Sequence, residues 1–239
     1  MPDVSIVIPV LNEGAAIAKR LRDLHTWLES VGARGGTEIV VVDGGSEDDT
    51  VAQARVCCDR LAESDAGRAR QMNIGAAAAT GRVLWFLHVD SNVAGLPLEP
   101  VIGLPDERWG FFDAAIDDNA RIFRLIETTM SLRARVTSIA TGDQGIFVSR
   151  KLFERVGGFP DVALMEDIEI SRRLRRCSQP LVSRARIKTS SRRWRRHGIA
   201  RTIVLMWSLR LAWWAGVPST TLARLYGYPE AANSHLARS

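Results

Sequence analysis

Apolar, mostly β-branched side chains fill Val4–Val10 (VSIVIPV) and return at Glu38–Asp43 (EIVVVD), two runs of strand length. From Ile17 to Val31 apolar residues recur at helical spacing, so the segment up to Asp43 reads as strand, helix, strand. Strands apolar on both faces belong to parallel sheets covered on both sides, and the crossover between them is right-handed by default. Ser46, with Asp49 three residues on, approximates a capping box and predicts a helix after it. An Ala-rich helix from Gly67 to Ala79, ended by Gly81, then leads into a long buried strand, Arg82–Asp90 (RVLWFLHVD).

Beyond Asp90 the rhythm loosens. Gly95 to Pro105 is rich in Gly and Pro and reads as loop, and Trp109–Ile116 (WGFFDAAI) reads as an antiparallel or edge strand. Helical spacing returns at Arg121–Val136, Leu152–Val156 and Glu166–Arg176, with no internal repeat and no low-complexity linker. Alternating β and α followed by a mixed second half predicts an α/β fold. Its core is a Rossmann-related, open, mostly parallel sheet flanked by helices.

Composition refines this picture in two places. At 239 residues and 46% hydrophobic content the chain can bury one large core. Its three cysteines, Cys57, Cys58 and Cys177, match neither a disulfide framework nor a zinc site. No signal-peptide pattern precedes Val4, so a cytoplasmic protein is expected. The net charge of +5 conceals a basic tract from Arg172 to Arg201, with eleven Arg, one Lys and no acid. Such a face suits a diphosphate, an anionic acceptor or a lipid surface, or is simply solvated. Nucleic acid is not expected, because no recognition motif or stacking platform accompanies the arginines.

In an open parallel sheet, ligands sit beyond the carboxyl ends of the strands. That singles out Asn12 and Glu13 after the first run, Asp43 with Gly44 after the second, and His88 with Asp90 after the third. The dinucleotide and P-loop glycine signatures are both missing, so those chemistries lose support. Asp43 offers a carboxylate beside backbone that a base or ribose can approach; the alternative is a turn or helix-capping aspartate. His88 and Asp90, two apart on an expected strand, share a face and suit a divalent cation that neutralises a leaving diphosphate. Imidazole is a poor Mg²⁺ ligand, so His88 as a direct ligand favours Mn²⁺; otherwise it is a packed histidine. Arg68 and Arg70 open a helix with Asn73 behind them, where guanidinium groups and helix amides converge on an anion or simply meet solvent. Asp161, Glu166 and Asp167 precede a basic helix, where an acid is either favoured by the helix dipole or available as a general base.

Taken in order, Ser5–Glu13 (SIVIPVLNE), Val42–Thr50 (VDGGSEDDT), Gly67–Gly75 (GRARQMNIG), Leu87–Asp90 (LHVD), Asp143–Phe159 (DQGIFVSRKLFERVGGF) and Glu166-Asp167 resemble the family 2 glycosyltransferases of the GT-A fold, over nearly the whole chain. The resemblance implies an inverting transfer from a nucleoside-diphosphate sugar, a UDP-sugar favoured, to a small-molecule or lipid acceptor. It implies Mn²⁺ or Mg²⁺ at Asp90 and His88, and Asp167 with Glu166 as the catalytic carboxylates. Nucleotide-sugar contacts are implied at Pro9, Leu11, Asn12, Glu13, Asp43, Gly44, Arg68, Arg70, Asn73, Val89 and Asp90, with Asp143, Gln144, Arg193 and Trp194 on the acceptor and diphosphate side.

Two departures stand out. The family's D-x-D is here His88-Val89-Asp90, and Ser190-Ser-Arg-Arg-Trp194 carries Ser where processive members carry Gln, so polymer synthesis is not implied. The compact size, L-H-V-D and S-S-R-R-W are most similar to the small radical-SAM/selenodomain-associated, or arsenosugar-biosynthesis, subgroup, which points to a small-molecule acceptor.

The expected division is a GT-A-like domain over 1–190, its donor half 1–90 and acceptor half 91–190, with a basic and apolar helical segment over 191–239. Within that segment the apolar stretch between Arg201 and Arg210 is eight residues. Crossing a bilayer takes about 20. At about 100° per residue the two arginines fall on opposite faces. A helix packed on the main lobe beside the acceptor is expected, ahead of an interfacial helix at the inner face of the membrane or a homodimer contact. The rival functions are a sugar-phosphate nucleotidyltransferase, which would need a Gly-rich basic loop after the first strand, and a non-catalytic nucleotide-binding or membrane-docking module.

Overall fold

Every residue of β1 (Val4–Val10) and β2 (Thr37–Asp43) is buried, which is why both runs are apolar without alternation. The computed structural model describes residues 2–228. Around these two strands lie β3 (Arg60–Glu63), β4 (Val83–Phe86), β5 (Trp109–Asp117), β6 (Phe147–Ser149) and β7 (Leu181–Ser190), in the order β3-β2-β1-β4-β6-β5-β7. β1 is parallel to both β2 and β4, whereas β6 is antiparallel to its neighbours β4 and β5. The chain therefore leaves β1 in opposite directions to reach β2 and β4, which makes the carboxyl ends of β1 and β4 the topological switch point.

The first helices are α1 (Gly14–Ser30), α2 (Thr50–Arg55), α3 (Arg68–Ala78), α4 (Glu99–Ile102) and α5 (Arg121–Thr137). They are followed by α6 (Arg150–Arg155), α7 (Glu166–Cys177), α8 (Arg192–His197), α9 (Ile199–Trp214) and α10 (Ser219–Tyr226). Two cores cover the sheet. On one face Ile17, Leu21 and Trp27 of α1 meet Trp85 and Phe112; on the other, Met72 of α3 and Ile170 and Leu174 of α7 meet Phe86, Trp109 and Phe111. Alternate residues of one strand thus feed opposite cores. Gly75 lets α3 sit directly on β1 and β2, because a Cβ there would collide with Val7 and Val42.

Four expectations need correction. The strand predicted to reach Asp90 stops at Phe86, where the backbone turns away, closed by Ser91 N donating to His88 O at 3.0 Å. α2 begins at Thr50 without a side-chain cap, because the Ser46 hydroxyl is spent on Asp43, at 2.5 Å. Of the two readings of β5 the antiparallel one holds against β6, and the edge one fails because β7 runs parallel on its other side. Part of the basic tract is β7 itself, the true edge, with Arg184, Arg186 and Lys188 exposed and Ile187 and Thr189 buried, a charged edge that discourages further pairing.

A buried acid ties the first βαβ unit together. One Glu38 carboxylate oxygen accepts from Ser5 Oγ at 2.5 Å, Thr80 N at 2.5 Å and Gly81 N at 3.2 Å, and the other accepts from Arg60 Nε at 3.1 Å. Glu38→Leu orphans these buried donors and is expected to cost about 3 kcal/mol, read from the urea midpoint. A change below about 0.5 kcal/mol, as for an ordinary surface site, would contradict this role.

Candidate active site

A cavity of about 410 Å³ opens over the carboxyl ends of β1, β4 and β7. Its walls are Pro9 to Leu11 after β1, His88 to Asp90 after β4, Thr189 and Ser190 at the end of β7, and the start of α7. Helix α9 closes one side with Thr202, Met206, Leu209 and Arg210.

The acidic floor is compact. Thr189 Oγ1 lies 3.4 Å from both Asp90 Oδ2 and Asp143 Oδ1, so the two carboxylates meet at one hydroxyl. His88 Nδ1 is 3.8 Å from Asp143 Oδ1. Burial, followed by the nearby Asp90 charge, pushes Asp143 up to about 6. His88 is held neutral by burial and by the Arg68 guanidinium. Gly142 has no room for a Cβ, which would strike the His88 ring, and this contact fixes the imidazole against the loop before β6.

Beside this floor stands the start of α7. Met165 adopts φ 74, in the left-handed region where a non-glycine side chain is strained, and delivers Glu166 and Asp167 into the cavity wall. Asp167 accepts from Gly142 N at 3.0 Å and Ile168 N at 2.7 Å. Glu166 is 4% exposed, and burial together with the adjacent Asp167 raises its pKa.

The remaining wall is cationic and aromatic. Arg68 Nη2 donates to the Tyr228 hydroxyl at 3.0 Å. Arg193 stacks on the Tyr226 ring at 3.6 Å and donates to Tyr226 O at 2.7 Å. Burial opposes the Arg68 charge, but Tyr228, Glu166, Tyr226 and Asp143 more than offset it and raise its pKa. Trp194 backs this wall through an edge contact with Phe123 at 6.2 Å.

Twelve residues singled out in the sequence therefore share the cavity: Pro9, Leu11, Glu13, Arg68, His88, Val89, Asp90, Asp143, Glu166, Asp167, Arg193 and Trp194. The pairing of His88 with Asp90 survives for a different reason than expected, since a turn and not a strand face presents them.

Six others stand behind the wall. Asp43 accepts from Gly45 N at 2.9 Å, Ser46 N at 2.9 Å and Ser46 Oγ, which is the turn role among its two readings. Asn12, at φ 53, accepts from Glu47 N at 2.9 Å and latches the loop after β1 to this turn. Gly44 packs on Gln71, whose amide donates to Val10 O and Val42 O. Arg70 pairs with Asp161 at 2.8 Å, Asn73 brackets both backbone groups of Phe159, and Gln144, fully buried, donates to Phe112 O. Sequence reasoning missed Tyr226, Tyr228 and Arg210; only Arg210, a lone charge in an apolar segment, carried a signal.

The chain is similar to known proteins in sequence and in fold. An uncharacterized glycosyltransferase of Mycobacterium tuberculosis (strain ATCC 25618 / H37Rv) is 39% identical over 101 residues, 39% of this chain and 36% of that protein. The matched stretch thus spans little more than a third of that relative's length. Among solved structures, the mannosyltransferase PcManGT from Pyrobaculum calidifontis in complex with GDP-Man and Mn²⁺ superposes with a TM-score of 0.62 at 21% identity, covering 99% of this chain and 74% of that one. Glucosyl-3-phosphoglycerate synthase from Mycobacterium tuberculosis in complex with Mn²⁺, UDP and glucosyl-3-phosphoglycerate gives 0.53 at 18% identity, covering 79% and 71%. At such identities the likeness is one of fold, the GT-A fold of glycosyltransferases. The profile of glycosyl transferase family 2 matches residues 5–147, more than half of the sequence, and the chain belongs to that family.

Proposed function

We propose that this chain is an inverting glycosyltransferase that moves a sugar from a nucleoside-diphosphate sugar to an acceptor hydroxyl. The observation that carries the reading is the convergence of Asp90 and Asp143 on Thr189 in a cavity whose wall also carries Asp167. The two solved relatives support the donor class, one holding GDP-Man with Mn²⁺ and the other UDP with Mn²⁺.

The donor set fits a divalent ion. Asp90 and Asp143 are close carboxylates short of a cation, with neutral His88 beside them. Among the described residues no three His, Cys, Asp or Glu side chains form a closed metal set. Mn²⁺ or Mg²⁺ there would be held by Asp90 and Asp143 and completed by diphosphate oxygens. When bound, such an ion neutralises the charge growing on the leaving diphosphate. Arg68 and Arg193 place guanidinium groups on the same side and stabilise that charge directly. Asp167 takes the acceptor proton as the acceptor oxygen bonds to the anomeric carbon, and the diphosphate departs with the electrons of the broken bond. In-line attack inverts that carbon. Asp43 and Gly44 act from behind, holding the loop that carries Leu11, and Asp43 keeps lone-pair capacity for a nucleoside contact. Saturable, Mn²⁺-dependent binding of UDP or GDP is the expected result in a calorimetric titration. An intact Glu166-Asp167 facing the cavity favours turnover over a silent binding module.

The acceptor is a small molecule or a lipid, and the outer surface of α9 favours the lipid side. Its inner face lines the cavity, as expected, but Val204, Trp207, Leu211 and Trp214 form the opposite face, 62–83% exposed. Leu125, Leu132 and Val136 make a second exposed stripe on α5, 60–76% exposed. Phe123 and Ile126 of α5 share a cluster with Ile199 and Ile203 of α9, so the two stripes belong to adjoining helices. Exposed Arg196 and Arg201 border them with no acid partner among the described residues, the charge that anionic headgroups complement. Among the described residues no helix is long and apolar enough to cross a membrane. Trp207→Ser with Trp214→Ser is expected to reduce sedimentation with vesicles containing phosphatidylglycerol at least about tenfold. Unchanged sedimentation, or a dimer that dissociates in the variant, assigns the face elsewhere.

A further inference from the structure

We propose that Tyr226 and Tyr228, at the end of α10, are positioning residues that hold the guanidinium groups of Arg193 and Arg68 for the diphosphate of the donor. The inference rests on the transfer reading above and adds two residues to its donor site.

Helix α10 stops at Gly227, whose φ of 93 lies in the left-handed region that glycine adopts freely. Gly227 N donates to Arg224 O at 3.2 Å and Tyr228 N donates to Ala223 O at 2.9 Å, the paired bonds of a Schellman turn. The turn brings Tyr228 back against Tyr226, edge-on, with ring centroids 5.0 Å apart. The helix beneath them is anchored. Leu222 and Ala223 are fully buried in one cluster with Leu209 of α9 and with Ala163 and Leu164, and Ser219 Oγ accepts from Ala163 N at 3.3 Å. The tyrosine pair therefore stands on a fixed base, and both residues line the cavity.

Arg193 lies over the Tyr226 ring, its Cζ 3.6 Å from the centroid, and donates to Tyr226 O at 2.7 Å. Arg68 donates to the Tyr228 hydroxyl at 3.0 Å, with its Cζ 5.2 Å from that ring. The Arg193 Cζ is 5.8 Å from the Tyr228 ring as well, so one aromatic pair spans both cations. A ring face, a hydroxyl and a carbonyl are neutral partners. They fix a guanidinium group without neutralising it, as a carboxylate in the same place would. Stacking uses the flat face of the group, and the bonds named leave most of its N–H donors in the plane where phosphate oxygens bind. Two long side chains are thus ordered before the donor arrives, and the rotamer freedom they would lose on binding is already spent.

The test is calorimetric titration of the full chain with Mn²⁺ and UDP, GDP, UMP or GMP, in wild type, Tyr228→Phe, Tyr226→Leu and Tyr226→Phe. Tyr228→Phe, which removes the hydroxyl, and Tyr226→Leu, which removes the stacking face, should each weaken the bound diphosphate about 3–10-fold. The monophosphate of the same base should change less than about twofold, and Tyr226→Phe, which keeps the face, should restore wild-type affinity. Equal losses for mono- and diphosphate, or a loss in Tyr226→Phe as large as in Tyr226→Leu, would show a structural role and overturn the proposal. Diphosphate binding indifferent to all three substitutions overturns it and leaves the donor reading intact. If no nucleotide binds the wild type, inorganic pyrophosphate with Mn²⁺ decides. Pyrophosphate bound by the wild type and weakened in the same pattern keeps the tyrosine role and removes the nucleotide reading, whereas no pyrophosphate binding overturns both.

Discussion

Asp167→Asn is expected to bind donor nucleotide as the wild type does and to lose sugar transfer by about 10²–10⁴-fold, the usual contribution of a positioned proton acceptor. Gly142 N and Ile168 N hold the carboxylate at the cavity wall, so its orientation is set before any acceptor arrives. Each oxygen retains a lone pair for the acceptor hydroxyl. Asparagine preserves the shape and one acceptor oxygen but cannot take up the proton. The loss should fall on kcat with donor KM unchanged, since Asp167 is tied to Gly142 N and Ile168 N and is not one of the carboxylates that would hold the ion. Transfer at the wild-type rate would remove Asp167 as the base.

Asp90→Ala should act on the other half of the reaction. Asp90 and Asp143 together hold the negative charge that an ion between protein and diphosphate would bridge. Removing one partner of such a buried charge arrangement costs about 3–5 kcal/mol, so Mn²⁺-dependent nucleotide binding should fall by more than about 100-fold. Any residual binding should no longer respond to Mn²⁺. An Asp90→Ala protein that binds nucleotide with the wild-type metal dependence would place the ion elsewhere.

What the sequence disclosed follows from where its signals originate. β1 and β2 were legible because full burial writes itself as unbroken apolar runs. β3 (RLAE) and β7 were not, because both are polar strands at the sheet edges whose pairing is decided by a neighbour distant in sequence. Most of the charged residues singled out line the cavity, whereas Asp43, Arg70 and the short polar side chains do not. Asn12, Asp43, Asn73 and Gln144 turn to nearby backbone groups, as side chains of that length readily do.

The central claim is that this cavity holds a nucleoside diphosphate through a divalent ion. The most direct test is calorimetric titration of UDP and GDP into the wild-type protein with and without Mn²⁺. Saturable binding of one nucleotide that requires Mn²⁺ is the predicted result, whereas binding of neither, with the ion present, would contradict the account.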